Sequence, residues 1–171
     1  CKAAIGVLKG RKSKLVPDFP TGGMIDPSNY QRGLRGGKIR VRAKIENPDK
    51  GTLLIKDIPY GTTTSSLIDS ILKANDKGKI KIKKVVDNTA AEVEVQVDLP
   101  SGVSPDVTVD ALYAFTDCEV SISPNSCIII GETPHFMDVD EMLERTTLQT
   151  KDLLRQELEL QLSELKEKLL F

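Results

Sequence analysis

Between Lys38 and Ile45 the chain alternates in type at every residue. Lys38, Arg40, Arg42 and Lys44 interleave with Ile39, Val41, Ala43 and Ile45. A β-strand turns successive side chains to opposite faces, so this spacing sets the four cations in one row with an apolar face behind them. Same-face neighbours on a strand lie about 6.6 Å apart, at a rise of about 3.3 Å per residue. Successive phosphates of a nucleic-acid strand are separated by a comparable few ångströms. Arg32 and Arg35 precede the row on a turn rich in glycine (Gly33, Gly36, Gly37). Such a set suits the phosphate backbone of a duplex. Contacts of that kind position a nucleic acid and read little of its sequence. Lys79, Lys81 and Lys83 form a second, shorter row, which reads as a solvated face.

Other chemistry finds little support. His135 is the single histidine and lacks the Cys, Asp or Glu at ligand spacing that a metal needs, so it reads as structural. Gly22-Gly23 lacks the Lys and Ser/Thr of a phosphate cradle. Asp138, Asp140, Glu141 and Glu144 cluster, but they head a helix, where carboxylates favour the dipole. Cys1, Cys118 and Cys127 form no CxxC pair and leave an odd thiol, which fits a reduced, cytoplasmic protein. Cys118 and Cys127 flank a turn and could face each other across a strand pair; the expectation is nevertheless free thiols.

The 171 residues suffice for one ordinary domain and an appendage. Aromatics make up 4% and Trp is absent, so the core must rest on Ile, Leu and Val. No apolar run approaches the roughly 20 residues of a membrane span, and no secretory signal opens the chain. The net charge of −1 conceals a division. Residues 1–86 carry 19 basic and 7 acidic side chains, a balance of +12; residues 87–171 carry 5 and 18, a balance of −13. One half is suited to a polyanion and the other is not. Cys1 in place of Met, a helical start at Lys2–Lys9 and a helical end at Phe171 together suggest a segment of a longer polypeptide.

The positioning elements follow from periodicity and turn chemistry. Residues 10–37 read as loop with a helical turn or two at 28–34, since Gly and Pro break any long element. Lys38–Ile45 and Thr52–Ile58 form a hairpin around Asn47–Gly51. A helix over 63–75, capped by Thr62, Thr63 or Thr64, buries Leu67, Ile68, Ile71 and Leu72, and Gly78 ends it. Lys79–Val86 and Glu92–Leu99 are strands, Pro105–Phe115 a helix capped by Ser104, and Glu119–Ser123 with Cys127–Ile130 a last strand pair. The order is β-β-α-β-β-α-β-β, an α+β fold with one mainly antiparallel sheet and both helices on one face. Its middle six elements match the split β-α-β pattern of ferredoxin-like folds. From Asp138, which can cap at Glu141, a long coiled-coil-type helix runs to Phe171. Leu154, Leu158, Leu162, Leu165 and Leu169 form its near-heptad seam, with Arg155–Glu159 and Glu164–Lys168 on the wet side. The expected domains are a helix remnant and Gly/Pro-rich loop (1–37), the α+β body (38–137) and the start of the long helix (138–171).

Five stretches in register carry a family resemblance. Leu15–Gly23 (LVPDFPTGG) resembles the PDFPTGG signature of bacterial type IIA DNA topoisomerase A subunits, the topoisomerase IV and gyrase A group. Tyr30–Gly37 resembles that family's tyrosine and Gly-Arg-Gly turn, although here the turn reads Arg35-Gly36-Gly37. Lys38–Glu46, Ile55–Tyr60 and Leu112–Thr116 resemble its basic strand, its Ile-Pro-Tyr strand end and its Leu-Tyr-x-x-Thr helix end. The 62–79 and 105–127 stretches lean towards topoisomerase IV.

The resemblance implies the tower region and the start of the coiled coil. The family's catalytic tyrosine, its neighbouring arginine and the DNA-wedging isoleucine lie upstream in a winged-helix region, so Tyr30, Tyr60 and Tyr113 inherit no catalytic role and the segment itself should be inactive. The parent enzyme would pass one duplex through another at the expense of ATP, as an A2B2 assembly in the bacterial cytoplasm at the nucleoid. Mg²⁺ and ATP would sit on the partner B subunit, leaving no cofactor here. Arg32, Arg35, Lys38, Arg40, Arg42 and Lys44 would contact duplex DNA. Two rivals share the pattern: an RNA-binding module of the same β-α-β-β-α-β order, and a dimerisation or regulatory domain with a merely solvated basic face.

Overall fold

The computed structural model describes residues 1–170. In chain order the elements are α1 (Lys2–Leu8), β1 (Met24–Asn29), a single 3-10 turn (Gln31–Gly33), β2 (Lys38–Arg42), β3 (Lys44–Asp49), β4 (Thr52–Asp57), α2 (Thr64–Asp76), β5 (Lys84–Asp87), β6 (Val95–Asp98), α3 (Pro105–Phe115), β7 (Glu119–Ile122), β8 (Cys127–Ile130), β9 (Thr133–Phe136) and α4 (Val139–Leu170). They fall into two compact units. One gathers Cys1–Val16, Tyr30–Gly37 and the residues from Pro124; the other holds Pro17–Asn29 and Lys38–Ser123.

The second unit is an α+β body with antiparallel pairings throughout. Leu53 and Ile55 on β4 stand opposite Val97 and Val95 on β6, so their side chains share one face. Leu67, Ile71 and Ala74 of α2 and Leu112 of α3 close over that face in a single core. Both helices therefore lie on one side, as the element order predicts. Each fully buried Leu or Ile contributes roughly 1.5–3 kcal/mol of transfer free energy. Thr63 caps α2 in a reciprocal box: its hydroxyl accepts from the Ser66 amide, and the Ser66 hydroxyl accepts from the Thr63 amide, each at 3.1 Å. Pro105 occupies the first turn of α3, but the Ser104 side chain makes no cap bond.

The expected single sheet is instead three, and the reason is local. Lys38–Ile45 is not one strand. It divides at Ala43, with β2 in a three-stranded sheet ordered β1-β2-β7 and β3 in a four-stranded sheet ordered β3-β4-β6-β5. Ala43 is fully buried. Its N–H donates to the Cys118 carbonyl at 2.7 Å, and its carbonyl accepts from the Tyr113 hydroxyl at 2.9 Å. With both backbone groups satisfied in this way, the chain can change sheets inside the core without an orphaned polar group. The ferredoxin-like order survives in β4, β6 and β5. The place beside β4 that such a fold gives its last strand is taken by β3, while β7 pairs with β2.

Three further departures have physical causes. β1 lies inside the stretch read as loop; it holds Pro27, which an edge strand tolerates at the register shift between Asp26 and Asn29. Residues 79–83 are not strand, because the Ile82 amide donates to the Asn75 side chain at 3.2 Å instead of to a neighbouring strand. β7 and β8 do not pair with each other; β8 forms a hairpin with β9, which includes Pro134 and His135.

The first unit contains α1, the 3-10 turn, the β8–β9 hairpin and α4. Asp138 caps α4 at the Glu141 amide, 2.8 Å away. Arg155 and Glu159 pair at 3.0 Å. Leu154, Leu158, Leu162, Leu165 and Leu169 are exposed along the seam. All three cysteines are free thiols; Cys118 is buried, which pushes its pKa up to about 11 and leaves it an inert thiol.

The Ala43 junction predicts the effect of one hydroxyl. Tyr113→Phe keeps the ring and strands the buried Ala43 carbonyl, which should cost about 1–3 kcal/mol in urea unfolding. Leu53→Ala, a cavity in the same core, should cost about 2–5 kcal/mol. A Tyr113→Phe protein as stable as the parent would show that the crossover does not need this bond.

Candidate nucleic-acid interface

β2 positions three of the six basic residues. Ile39 and Val41 are buried, and Lys38, Arg40 and Arg42 project from the opposite, exposed face. Lys44 lies beyond the junction on β3, in the other sheet, and pairs with Glu46 at 3.3 Å. Arg32 and Arg35 belong to the first unit. The predicted row of four is thus a row of three on one strand.

The outward arginines are already engaged. Arg40 pairs with Asp26 at 2.6 Å, directly across the β1–β2 ladder. Asp26 also accepts from the Ser28 hydroxyl at 2.6 Å and the Ser28 amide at 3.0 Å. The Ser28 hydroxyl and amide, then Arg40, hold the Asp26 carboxyl down at about 2, and Asp26 in turn raises the pKa of Arg40. Arg42 donates to Glu119 at 2.5 Å across the β2–β7 ladder, and its guanidinium lies 4.7 Å from the Tyr113 ring centroid. Lys38 makes no ion pair among the described residues. The exposed face of this sheet therefore carries three cations against two carboxylates. Exposed pairs of this kind are worth about 0–1 kcal/mol, so phosphates can replace the carboxylates at little cost. Meanwhile the pairs fix where the guanidiniums lie. Sequence reasoning missed Asp26, Ser28 and Glu119, because Asp26 sat in an assumed loop and Glu119 on a strand assigned to the wrong neighbour.

Arg32 has a different setting. Its backbone is left-handed at φ 56°, as is that of Gln31 at φ 48°, an uncommon conformation for residues with side chains. Its guanidinium faces Asp138 at 3.7 Å and bonds to Asp140, which also accepts from the Ser13 hydroxyl at 2.6 Å. Arg32 thereby braces the first turn of α4. Arg35 is exposed and makes no ion pair among the described residues.

Two of the resembling motifs meet in space. Phe19 of the PDFPTGG stretch stacks on Tyr60, with ring centroids 5.1 Å apart. The Gly23 amide donates to the Asp57 carboxylate at 3.2 Å. Gly23 is left-handed at φ 87°, and a Cβ there would lie 2.7 Å from the Arg42 carbonyl oxygen, so only glycine fits. The motif seats the loop that leads into β1, and β1 delivers Asp26 to Arg40. Its role here is to position the basic face of β2. No strand of the second unit carries an aromatic residue, so the stacking platform of an RNA-binding module is missing.

The family of DNA gyrase/topoisomerase IV A subunits matches residues 1–171. The chain belongs to this family. The DNA topoisomerase 4 A subunit of Borreliella burgdorferi is 38% identical over 164 residues, covering 96% of this chain and 26% of that relative. The DNA gyrase A subunit of Lawsonia intracellularis is 32% identical over 136 residues, covering 74% of the chain and 17% of the relative. The DNA gyrase A subunit of Chlamydia pneumoniae is 32% identical over 152 residues, covering 81% and 18%. The chain spans about a quarter or less of the length of these relatives. No helix among the described residues is long and apolar enough to cross a membrane.

The Asp26 network makes a pH prediction. The folded Asp26 titrates at about 2, below the ordinary 3.8, so its ion pair is fully present above that ordinary value and is lost as pH falls through about 2. Carboxyl NMR should find this midpoint. Ser28→Ala and Arg40→Gln should each raise it, because the Ser28 hydroxyl and the Arg40 guanidinium both lower it. A midpoint that Ser28→Ala leaves unmoved would mean that the turn around Asp26 does not set its acidity.

Proposed function

We propose that this chain is the DNA-holding tower portion of a type IIA topoisomerase A subunit. The observation that carries the reading is the exposed face of β2, where Lys38, Arg40 and Arg42 stand in one row with both guanidiniums oriented by cross-strand carboxylates. Membership of the family of DNA gyrase/topoisomerase IV A subunits supports reading a duplex as the partner of that row. Contacts from such a face go to phosphates, so they fix the flank of a duplex without selecting its sequence. Arg35 and Lys44 extend the basic set along the chain, and Arg32 serves first as the brace of α4. The parent enzyme changes DNA topology by ATP-dependent passage of one duplex through another. It works as a pair of A subunits together with B subunits that hold ATP and Mg²⁺, and the cleavage chemistry belongs to a part of the A subunit outside this chain. The exposed leucine seam of α4 is the helix through which the tower joins a coiled coil.

A salt titration tests the reading. The chain should bind duplexes of any sequence weakly, with Kd on the order of 10⁻⁴–10⁻⁶ M at physiological salt. The slope of log K against log salt should steepen by about 0.9 for each phosphate engaged. Arg40→Gln with Arg42→Gln should weaken binding to all sequences alike and flatten the slope, with the circular dichroism spectrum unchanged. Gln is chosen over Glu because a carboxylate at either position would face Asp26 or Glu119. If the double variant binds as tightly and with the same slope, the β2 face is only solvated.

A further inference from the structure

The sheet face of β2 is not the most strongly charged surface of the second unit. Residues 73–84 carry six lysines, Lys73, Lys77, Lys79, Lys81, Lys83 and Lys84, against the single carboxylate of Asp76. All six are exposed. Among the described residues none of them enters an ion pair, whereas both arginines of β2 do. The nearest cross-strand acid is Asp98, opposite Lys84 in the β5–β6 ladder, and it accepts instead from the Gln96 side chain at 2.8 Å. A net +5 within twelve residues contrasts with +1 for the exposed face around β2, where Lys38, Arg40 and Arg42 face Asp26 and Glu119.

The backbone beneath these lysines is fixed. Gly78, left-handed at φ 70°, ends α2 in a Schellman turn: its amide donates to the Asn75 carbonyl and the Lys79 amide to the Ala74 carbonyl, each at 2.9 Å. Ile80 is buried in the core, Ile82 is half-buried and tied to Asn75, and the Lys83 amide donates to the Asp98 carbonyl at 2.8 Å. Lys81 and Lys83 are thereby turned outward on either side of Ile82, while the Lys79 ammonium lies 5.4 Å from the Phe115 ring centroid and stays exposed. Lys73 and Lys77 also complement the negative end of the α2 dipole, but that reason does not reach Lys79–Lys84. Surfaces built only for solubility intersperse both signs, whereas a single-sign field raises the local concentration of a polyanion. Lysine rather than arginine supplies point charges without bidentate geometry, which suits a phosphate backbone held without base readout.

We infer that Lys73–Lys84 forms a second duplex-phosphate-binding surface, separate from the β2 face and stronger than it. The inference shares its ligand class, duplex DNA, with the proposed function but uses none of the same residues. The test is a salt titration of a short mixed-sequence duplex against the full chain, the Lys79→Gln/Lys81→Gln/Lys83→Gln variant and the Arg40→Gln/Arg42→Gln variant. A Lys→Arg version of the triple variant and thermal unfolding serve as controls for charge and fold. The triple Gln variant should lose affinity for every sequence and flatten the log–log slope by about 2.7, at about 0.9 per phosphate contact. This loss should exceed that of the arginine variant, and the Lys→Arg version should bind like the parent. If the triple Gln variant matches the parent while the arginine variant is weakened, the inference falls and the proposed β2 interface stands. If only the triple Gln variant is weakened, the inference stands and the β2 interface falls. A chain that ignores duplex DNA but binds polyaspartate through these lysines overturns the inference in favour of an acidic protein partner, and a chain that binds neither overturns it outright.

Discussion

The fold turns on how the chain passes Ala43. A strand crossing from one sheet to another inside a core must leave both ladders for one residue, and there its peptide groups need other partners. Cys118 and Tyr113 supply them, from just before β7 and from the last turns of α3. That arrangement fixes much else. It docks β7 against β2, frees the place beside β4 for β3, and sets the Tyr113 ring under Arg42. The three residues that define the basic face, Lys38, Arg40 and Arg42, all lie on the near side of this crossover.

The electrostatics follow from the same topology. Because β2 is central in its sheet, each outward arginine has a neighbour on either side, and on one side that neighbour is acidic. Arg40 and Arg42 are therefore oriented and partly neutralised, a state suited to exchange with another anion. The lysines of 73–84 arise in the opposite way. Those of 73–83 emerge from a helix terminus and an irregular segment that lie outside any ladder, and Asp98, opposite Lys84 on β6, accepts from Gln96 instead, so their charge stays without an ion pair. Two basic stretches that look alike in sequence thus become two different electrostatic objects.

Much of the architecture was legible from the residues. The limits of α3, a threonine cap of α2 among Thr62, Thr63 and Thr64, the Asp138 cap and the burial of Leu67 and Ile71 follow from helical periodicity and capping chemistry, which are local; Leu72, expected on the same stripe, is exposed. The sheet partition was not legible. The eight-residue alternation at Lys38–Ile45 is satisfied as well by one strand as by two that share a crossover, since the pleat continues through Ala43. β1 was hidden because Pro27 and Asn29 carry turn chemistry, which only its edge position makes compatible with a strand. The basic row was visible, but Asp26 and Glu119, which set its electrostatic state, depend on pairings between residues distant in sequence. The PDFPTGG stretch marked the family. That its glycines hold the loop against Asp57 and the Arg42 carbonyl required coordinates.

The central claim is that the Arg40 and Arg42 guanidiniums exchange carboxylates for duplex phosphates. It is tested most directly by following their Nε–H resonances, together with the Asp26 carboxyl, as a duplex is added to the chain. The account predicts that both arginine signals shift in a saturable and salt-sensitive way. The Asp26 carboxyl should titrate higher in the complex than its free value of about 2, since one of the bonds that lowers it is given up. Arginine signals and an Asp26 titration that stay unmoved at saturating duplex, while other residues respond, would contradict it.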